Sequence, residues 1–209
     1  QDVEERFRKR YLDLVMNDEV KARFLARTRL VSLIRSFLER SGFTEFETPL
    51  LHSIPGGALA KPFKTRHNAL DLDLYLRIAP ELYLKRLLIG GFEKIYELGR
   101  NFRNEGIDAT HNPEFTMLEL YAAWWDEEDM MKFVEDFFVS LVKDFFKKSE
   151  FEFEGNSISV EPPFKRISFK ELLKKYALIS DYDAMDLKRM AAEAARHGIE
   201  VEKHDTKGK

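Results

Sequence analysis

The spacing of apolar residues changes several times along this chain, and each change marks an element. Between residues 18 and 41, Leu30, Ile34, Phe37 and Leu38 recur at helical intervals, and Gly42 follows as a residue able to close the helix in a left-handed conformation. The charged opening, residues 4–12, predicts a shorter helix before it. Residues 43–48 read as extended and are cut by Pro49. A short strand over 74–78 precedes a helix with Pro80 in its first turn, running through Leu88 and closed by Gly90 and Gly91.

The period then shortens to two. Lys94-Ile95-Tyr96-Glu97-Leu98 and Met117-Leu118-Glu119-Leu120-Tyr121 read as antiparallel strands joined by a long polar loop. Alternation puts Phe115, Met117, Glu119, Tyr121 and Ala123 on one face, and Thr116, Leu118, Leu120 and Ala122 on the other. On the first strand Glu97, Gly99, Asn101 and Arg103 share a face, where the glycine would leave room for a ligand lying on the sheet. The mostly apolar face suits packing against helices. The polar face reads as the floor of a site or as a solvated sheet surface.

A long helix is predicted from residue 126 to about 148. Acidic residues fill its first turn, Lys147 and Lys148 end it, and Met130, Phe133, Phe137, Leu141 and Phe145 form a broad core stripe. A small hairpin turning at Gly155-Asn156 follows over residues 151–160, and Pro162-Pro163 breaks the chain. Two helices near 169–176 and 184–197 come next, with Gly198 as a stop. The polar tail, residues 203–209, reads as disordered. Two domains are expected, a core over 1–148 and a hairpin and helical segment over 149–209.

At 209 residues, 44% hydrophobic and 13% aromatic, the chain can bury a sizeable core. It has no cysteine, which excludes disulfides, zinc–thiolate sites and cysteine nucleophiles and fits a cytoplasmic setting. No apolar run reaches membrane-spanning length, and the charged N-terminus lacks a signal-peptide pattern. The net charge of −3 gives no overall basic footprint for nucleic acid. His67 reads as a turn cap, and His52, His197 and His204 as surface or capping residues, since none has a partner at metal-ligand spacing. No metal site is expected within the chain.

The loop between the two strands carries the chemistry. Phe102-Arg103-Asn104-Glu105-Gly106 is answered by His111-Asn112-Pro113-Glu114-Phe115-Thr116. An arginine beside a carboxylate and a ring suits a nucleotide, the guanidinium meeting a phosphate and the ring a base. This run resembles motif 2 of the class II aminoacyl-tRNA synthetases, in the form used by lysyl-tRNA synthetases. The resemblance extends to Ile54-Pro55-Gly56-Gly57-Ala58, to His67-Asn68-Ala69-Leu70-Asp71 and to Arg77-Ile78-Ala79-Pro80-Glu81-Leu82-Tyr83-Leu84-Lys85-Arg86-Leu87. It is dense over about the first 125 residues and looser beyond.

The resemblance implies an α+β fold, an antiparallel sheet flanked by helices, and a reaction in which the lysine carboxylate attacks the α-phosphate of ATP before transfer to tRNA(Lys). It implies ATP contacts by Arg103, Glu105, His111 and Phe115, with Arg103 as the catalytic clamp on the α-phosphate. It implies lysine contacts by Gly57, Glu81, Glu119 and Tyr121. The residues alone read Glu81 equally well as a charge complementing its helix dipole. The helix–strand–Pro49 unit resembles motif 1, which implies a homodimer interface; spacing alone reads it as an ordinary amphipathic helix. Nothing matches the family's third motif or its N-terminal anticodon-binding barrel. The expectation is therefore the first portion of a catalytic domain, with Mg2+ ligands lying downstream. Two alternatives stand beside it: a related ligase that attaches a lysine-type residue to a translation factor, and a non-catalytic dimerisation or partner-binding module.

Overall fold

The computed structural model describes residues 2–202, 205 and 206, so the reading of the tail, His204 included, lies largely outside the described residues. The chain divides into two compact units, residues 1–162 and 163–209, at the proline pair that the sequence marks as a break.

In the first unit the charged opening forms two helices rather than one, α1 (Val3–Arg8) and α2 (Arg10–Met16), interrupted where Lys9 leaves helical geometry. Buried Asp13 ties them by accepting from Arg6 at 2.9 Å and Arg10 at 2.5 Å. The long helix α3 spans Asp18–Arg40. It ends as its sequence predicts: Gly42 adopts φ +83, and the Phe43 amide reaches back to the Leu38 carbonyl at 3.0 Å.

Of the segment expected to be extended, only β1 (Thr44–Glu45) joins a sheet. Three short strands build a second sheet: β2 (Leu51–His52), β3 (Lys64–His67) and β4 (Leu72–Leu76), in the order β2-β4-β3. Sequence reading placed His67 in a loop and missed β3. All four β3 residues are exposed, so no apolar alternation marks the strand. His67 does cap, its Nδ1 accepting from the Leu70 amide at 3.3 Å.

Helix α4 (Glu81–Ile89) follows, then β5 (Lys94–Phe102) and β6 (Glu114–Ala122). β5 pairs antiparallel with β6 and parallel with β1, so the main sheet is mixed at one edge. Helix α5 (Glu127–Phe146) opens with a capping box between Asp126 and Asp129 and ends at Lys147, φ +60. The apolar stripe of α5 is core. Phe133 packs on Phe43 at 5.1 Å, Trp125 at 5.3 Å and Phe37 at 5.6 Å between ring centroids. With Leu38 and Tyr96 these rings form the buried centre, and Leu98, Leu118, Leu120 and Ala122 of the hairpin lean on it. The apolar face of the sheet therefore packs against helices, as its alternation predicts.

Strands β7 (Glu150–Phe153) and β8 (Asn156–Ser159) close the unit. Their turn is Glu154-Gly155, one residue earlier than expected. Both have positive φ, 50° and 76°, the geometry of a two-residue hairpin turn matched to strand twist. In the second unit, α6 (Phe169–Leu172) passes into a wider π turn over Leu173–Ala177, and α7 (Leu187–Arg196) starts late because Asp186 is its N-cap. His197 is the C-cap of α7. These elements surround an apolar cavity of about 400 Å3, lined by Phe169, Leu173, Tyr182, Met190 and Ala194 among others. Among the described residues, no helix is long and apolar enough to cross a membrane.

Candidate active site

The candidate site is the polar face of the β5–β6 hairpin, bordered by α4. Register sets Glu97 opposite Glu119, Gly99 opposite Met117 and Asn101 opposite Phe115, so the two sets of residues grouped by alternation do share one face. Beneath it lies Arg77, one of the least accessible residues of the chain at 1% exposure. Its Nε donates to the Arg100 carbonyl at 2.9 Å, and its Nη1 to Thr48 Oγ1 at 3.1 Å and to the Glu97 carboxylate. The other oxygen of Glu97 accepts from the Thr48 amide at 3.2 Å and its hydroxyl at 2.6 Å. A buried ion pair needs further hydrogen bonds to offset its desolvation, and Thr48 and the Arg100 carbonyl supply them here.

This arrangement corrects the reading of Gly99. A β-carbon at Gly99 would lie 2.6 Å from Nη2 of Arg77 and 3.4 Å from Glu97 Oε1. The space that the glycine leaves is taken by the chain's own guanidinium rather than by a ligand. His52 is also corrected: it is buried at 4% exposure, packs on the Tyr83 ring at 4.8 Å and meets the Pro49 carbonyl through Nε2 at 3.0 Å. Burial, partly opposed by the Pro49 carbonyl, holds its pKa below the usual histidine value.

Glu119 stands at the centre of the face. Tyr121 donates its hydroxyl to Glu119 at 2.5 Å. Burial raises the Glu119 carboxyl above the usual carboxylate range. The Tyr121 hydrogen bond opposes that rise, and the charges of Glu81 and Glu97 add to it. Burial and the adjacent Glu119 likewise push the Tyr121 phenol up. Glu81, in the first turn of α4, accepts from Lys85 at 2.5 Å. Gly57, at φ +88, lies so close to this helix start that a β-carbon there would come within 3.0 Å of Glu81 Cβ. The structure thus brings Gly57 to Glu81, and Glu81 to the neighbourhood of Glu119 and Tyr121.

The loop, residues 103–113, is pinned at its base by the Arg103 amide on the Pro113 carbonyl at 2.8 Å. The Arg103 guanidinium covers the Phe115 ring at 5.1 Å, and its buried Nε has no hydrogen-bond partner among the described residues. Asn101 Oδ1, on the same face, is also buried and unpaired. Unsatisfied buried polar atoms are uncommon, and these two lie two residues apart in sequence. The Glu105 carboxylate accepts from the Lys61 amide at 3.3 Å, and the Asn104 amide meets the Lys61 carbonyl at 2.7 Å, so residue 61 braces the loop. His111 is exposed and held through Nδ1 by Asp108 at 2.8 Å. Bonds from the Thr110 amide, the His111 ring and the Thr110 hydroxyl hold the Asp108 carboxyl well below its usual range. Among the described residues, no three His, Asp or Glu side chains gather as a metal site.

Sequence reading did not assign roles to Arg77, Thr48, Glu97, Lys85 or Asp108. Arg77 and Lys85 both lie inside a run that the sequence singles out, and Glu97 lies on the polar face. The partners of Arg77, Thr48 and Glu97 come from distant segments that no local pattern connects, whereas Lys85 and Asp108 pair within their own helix and loop, with Glu81 and with Thr110 and His111.

The chain belongs to the family of class II tRNA synthetases (D, K and N), which it matches over residues 2–207. It is 50% identical to the lysine–tRNA ligase of Pelotomaculum thermopropionicum over 210 residues, covering 99% of this chain and 41% of the relative. It is equally 50% identical to the Escherichia coli K12 lysine–tRNA ligase over 206 residues, 97% of this chain and 40% of that protein. The Carboxydothermus hydrogenoformans lysine–tRNA ligase matches at 50% over 201 residues, 96% of this chain and 41% of the relative. The chain thus spans about two fifths of the length of these relatives.

Proposed function

We propose that this chain carries the lysine-selecting and ATP-clamping face of a lysine–tRNA ligase. The observation that carries the reading is the charge balance around Glu119. Three carboxylates lie together. Glu97 is neutralised by Arg77 and Glu81 by Lys85, while among the described residues no ion pair reaches Glu119. A partly buried carboxylate without a counter-ion selects a cation, and it repels an acidic side chain. Lysine meets that demand. Aspartate and asparagine, the other amino acids in the family's description, do not.

In this reading the ε-ammonium sits on Glu119 and Tyr121, and the α-ammonium on Glu81 beside Gly57. The substrate carboxylate is thereby aimed at the α-phosphorus. Arg103 donates to that phosphate and neutralises charge as pyrophosphate departs, with Phe115 stacking on adenine, Glu105 orienting it and His111 meeting the distal phosphates. Little covalent help is required; alignment and charge do most of it. Transfer then follows as a tRNA(Lys) hydroxyl attacks the acyl carbon and AMP leaves. Mg2+ would accompany the nucleotide and offset phosphate charge, and no cluster of described residues fits it. Exposed apolar residues on α3, among them Phe24 and Leu25, support a homodimer through the helix–strand unit ending at Pro49, and the reading places the enzyme in the cytoplasm.

The test is calorimetric binding of L-lysine, arginine, asparagine and aspartate to this chain, followed by ATP–pyrophosphate exchange with the same panel. Selective L-lysine binding supports the reading, and lysine-dependent exchange extends it to the chemistry. Equal binding of the panel, or preference for asparagine, overturns it.

A further inference from the structure

The ammonium of Lys85 stands beside Glu81, among the carboxylates of the proposed lysine site. Lys85 lies one helical turn after Glu81 on α4 and donates to Glu81 Oε1 at 2.5 Å. Its Nζ is 6.0 Å from the centroid of the Tyr121 ring. Glu119 feels its charge, in opposition to those of Glu81 and Glu97. The chain therefore offers a primary ammonium of its own to the carboxylate that, in the proposed function, receives the substrate's α-ammonium.

We propose that Lys85 sets the affinity for α-amino ligands, as a resident counter-ion that the substrate α-ammonium must displace from Glu81. The inference rests on the lysine-binding reading above. In the unliganded protein Lys85 neutralises Glu81 and keeps three neighbouring carboxylates tolerable. On binding, an incoming α-ammonium takes its place and the flexible Lys85 stem swings toward water. Its side chain is 52% exposed, so the departing ammonium is readily hydrated. The exchange costs affinity for any ligand bearing an α-ammonium. It costs nothing for a ligand that uses only the Glu119 end. An ordinary stabilising pair on a helix surface would act on stability alone.

The experiment compares wild type with Lys85→Met and Lys85→Arg, titrating L-lysine and 6-aminohexanoic acid, which keeps the carboxylate and the ε-ammonium but lacks the α-amine. Lys85→Met is expected to bind L-lysine about two- to fivefold more tightly, the size of one partly exposed ion pair, with 6-aminohexanoic acid little changed. Lys85→Arg, a cation still in place, stays near wild type. Unchanged or weaker L-lysine binding by Lys85→Met, or equal gains for both ligands, overturns the role. A wild type that shows no L-lysine binding overturns the underlying assignment as well, so the two failures are separable. Helix content by circular dichroism checks that the variants are folded.

Discussion

The two faces of the β5–β6 hairpin share one backbone and one register, and they differ in what holds each together. The back face, Tyr96, Leu98, Leu118, Leu120 and Ala122, meets Leu38, Phe43 and Phe133 through rings and methyl groups. Its stabilisation comes from area removed from water and from close packing. The front face holds Glu97, Asn101, Glu119 and Tyr121, with an arginine beneath them, two buried polar atoms unpaired and a carboxylate lacking a counter-ion. The back face is satisfied within the fold, while the front face keeps polar groups without partners among the described residues.

The largest expected effect breaks the back face alone. Phe133→Ala removes a ring that touches Phe37, Phe43 and Trp125, and should cost about 3–5 kcal/mol of stability in chemical unfolding. At temperatures where the variant is folded, its preference for lysine over asparagine should be unchanged.

Glu119→Gln breaks the front face alone. It should cost about 2–4 kcal/mol of lysine binding, since the cation loses its charged partner. Stability should move the other way with pH. Because the folded carboxyl is raised above its ordinary 4.5, Glu119 contributes stability that is full below that value and lost as pH rises through the raised one. The glutamine variant lacks that loss, so its melting temperature relative to wild type should climb between pH 4.5 and neutrality. A flat difference across that range would remove the case for a buried, uncompensated carboxylate.

Gly99→Ala is the smallest of the three changes and the one that should cross between faces. Its methyl group meets Arg77, which holds Glu97, so we expect a loss of about 1–3 kcal/mol in stability together with weaker lysine binding. Loss of stability without loss of binding would separate Arg77 from the site.

Alternation was enough to sort the hairpin's residues between these faces, because a period of two is a local property and register follows from it. Helical spacing likewise located α3 and α5, and the terminal signals at Gly42 and Asp126 were legible. Long-range chemistry was not. Arg77 follows a strand of mixed residues and has no neighbour in sequence to indicate that Thr48, Glu97 and the Arg100 carbonyl surround it. Gly99 was read correctly as a vacancy and wrongly as a ligand's, since spacing says that room exists and not what fills it. His52 looked like a surface residue because its burial depends on Tyr83, which is distant in sequence. The assignments of Arg103, Glu105, His111 and Phe115 came from resemblance. The geometry adds the guanidinium on the ring and the brace from residue 61.

The notch at Gly99 has a consequence for how this sequence can change over time. Glycine at 99 and arginine at 77 are coupled positions: a methyl group at the first costs stability while the second remains, and without the second Glu97 loses its counter-ion. A lineage changing the floor of this site one position at a time passes through a crowded or a charge-unbalanced intermediate, which changing both positions together avoids.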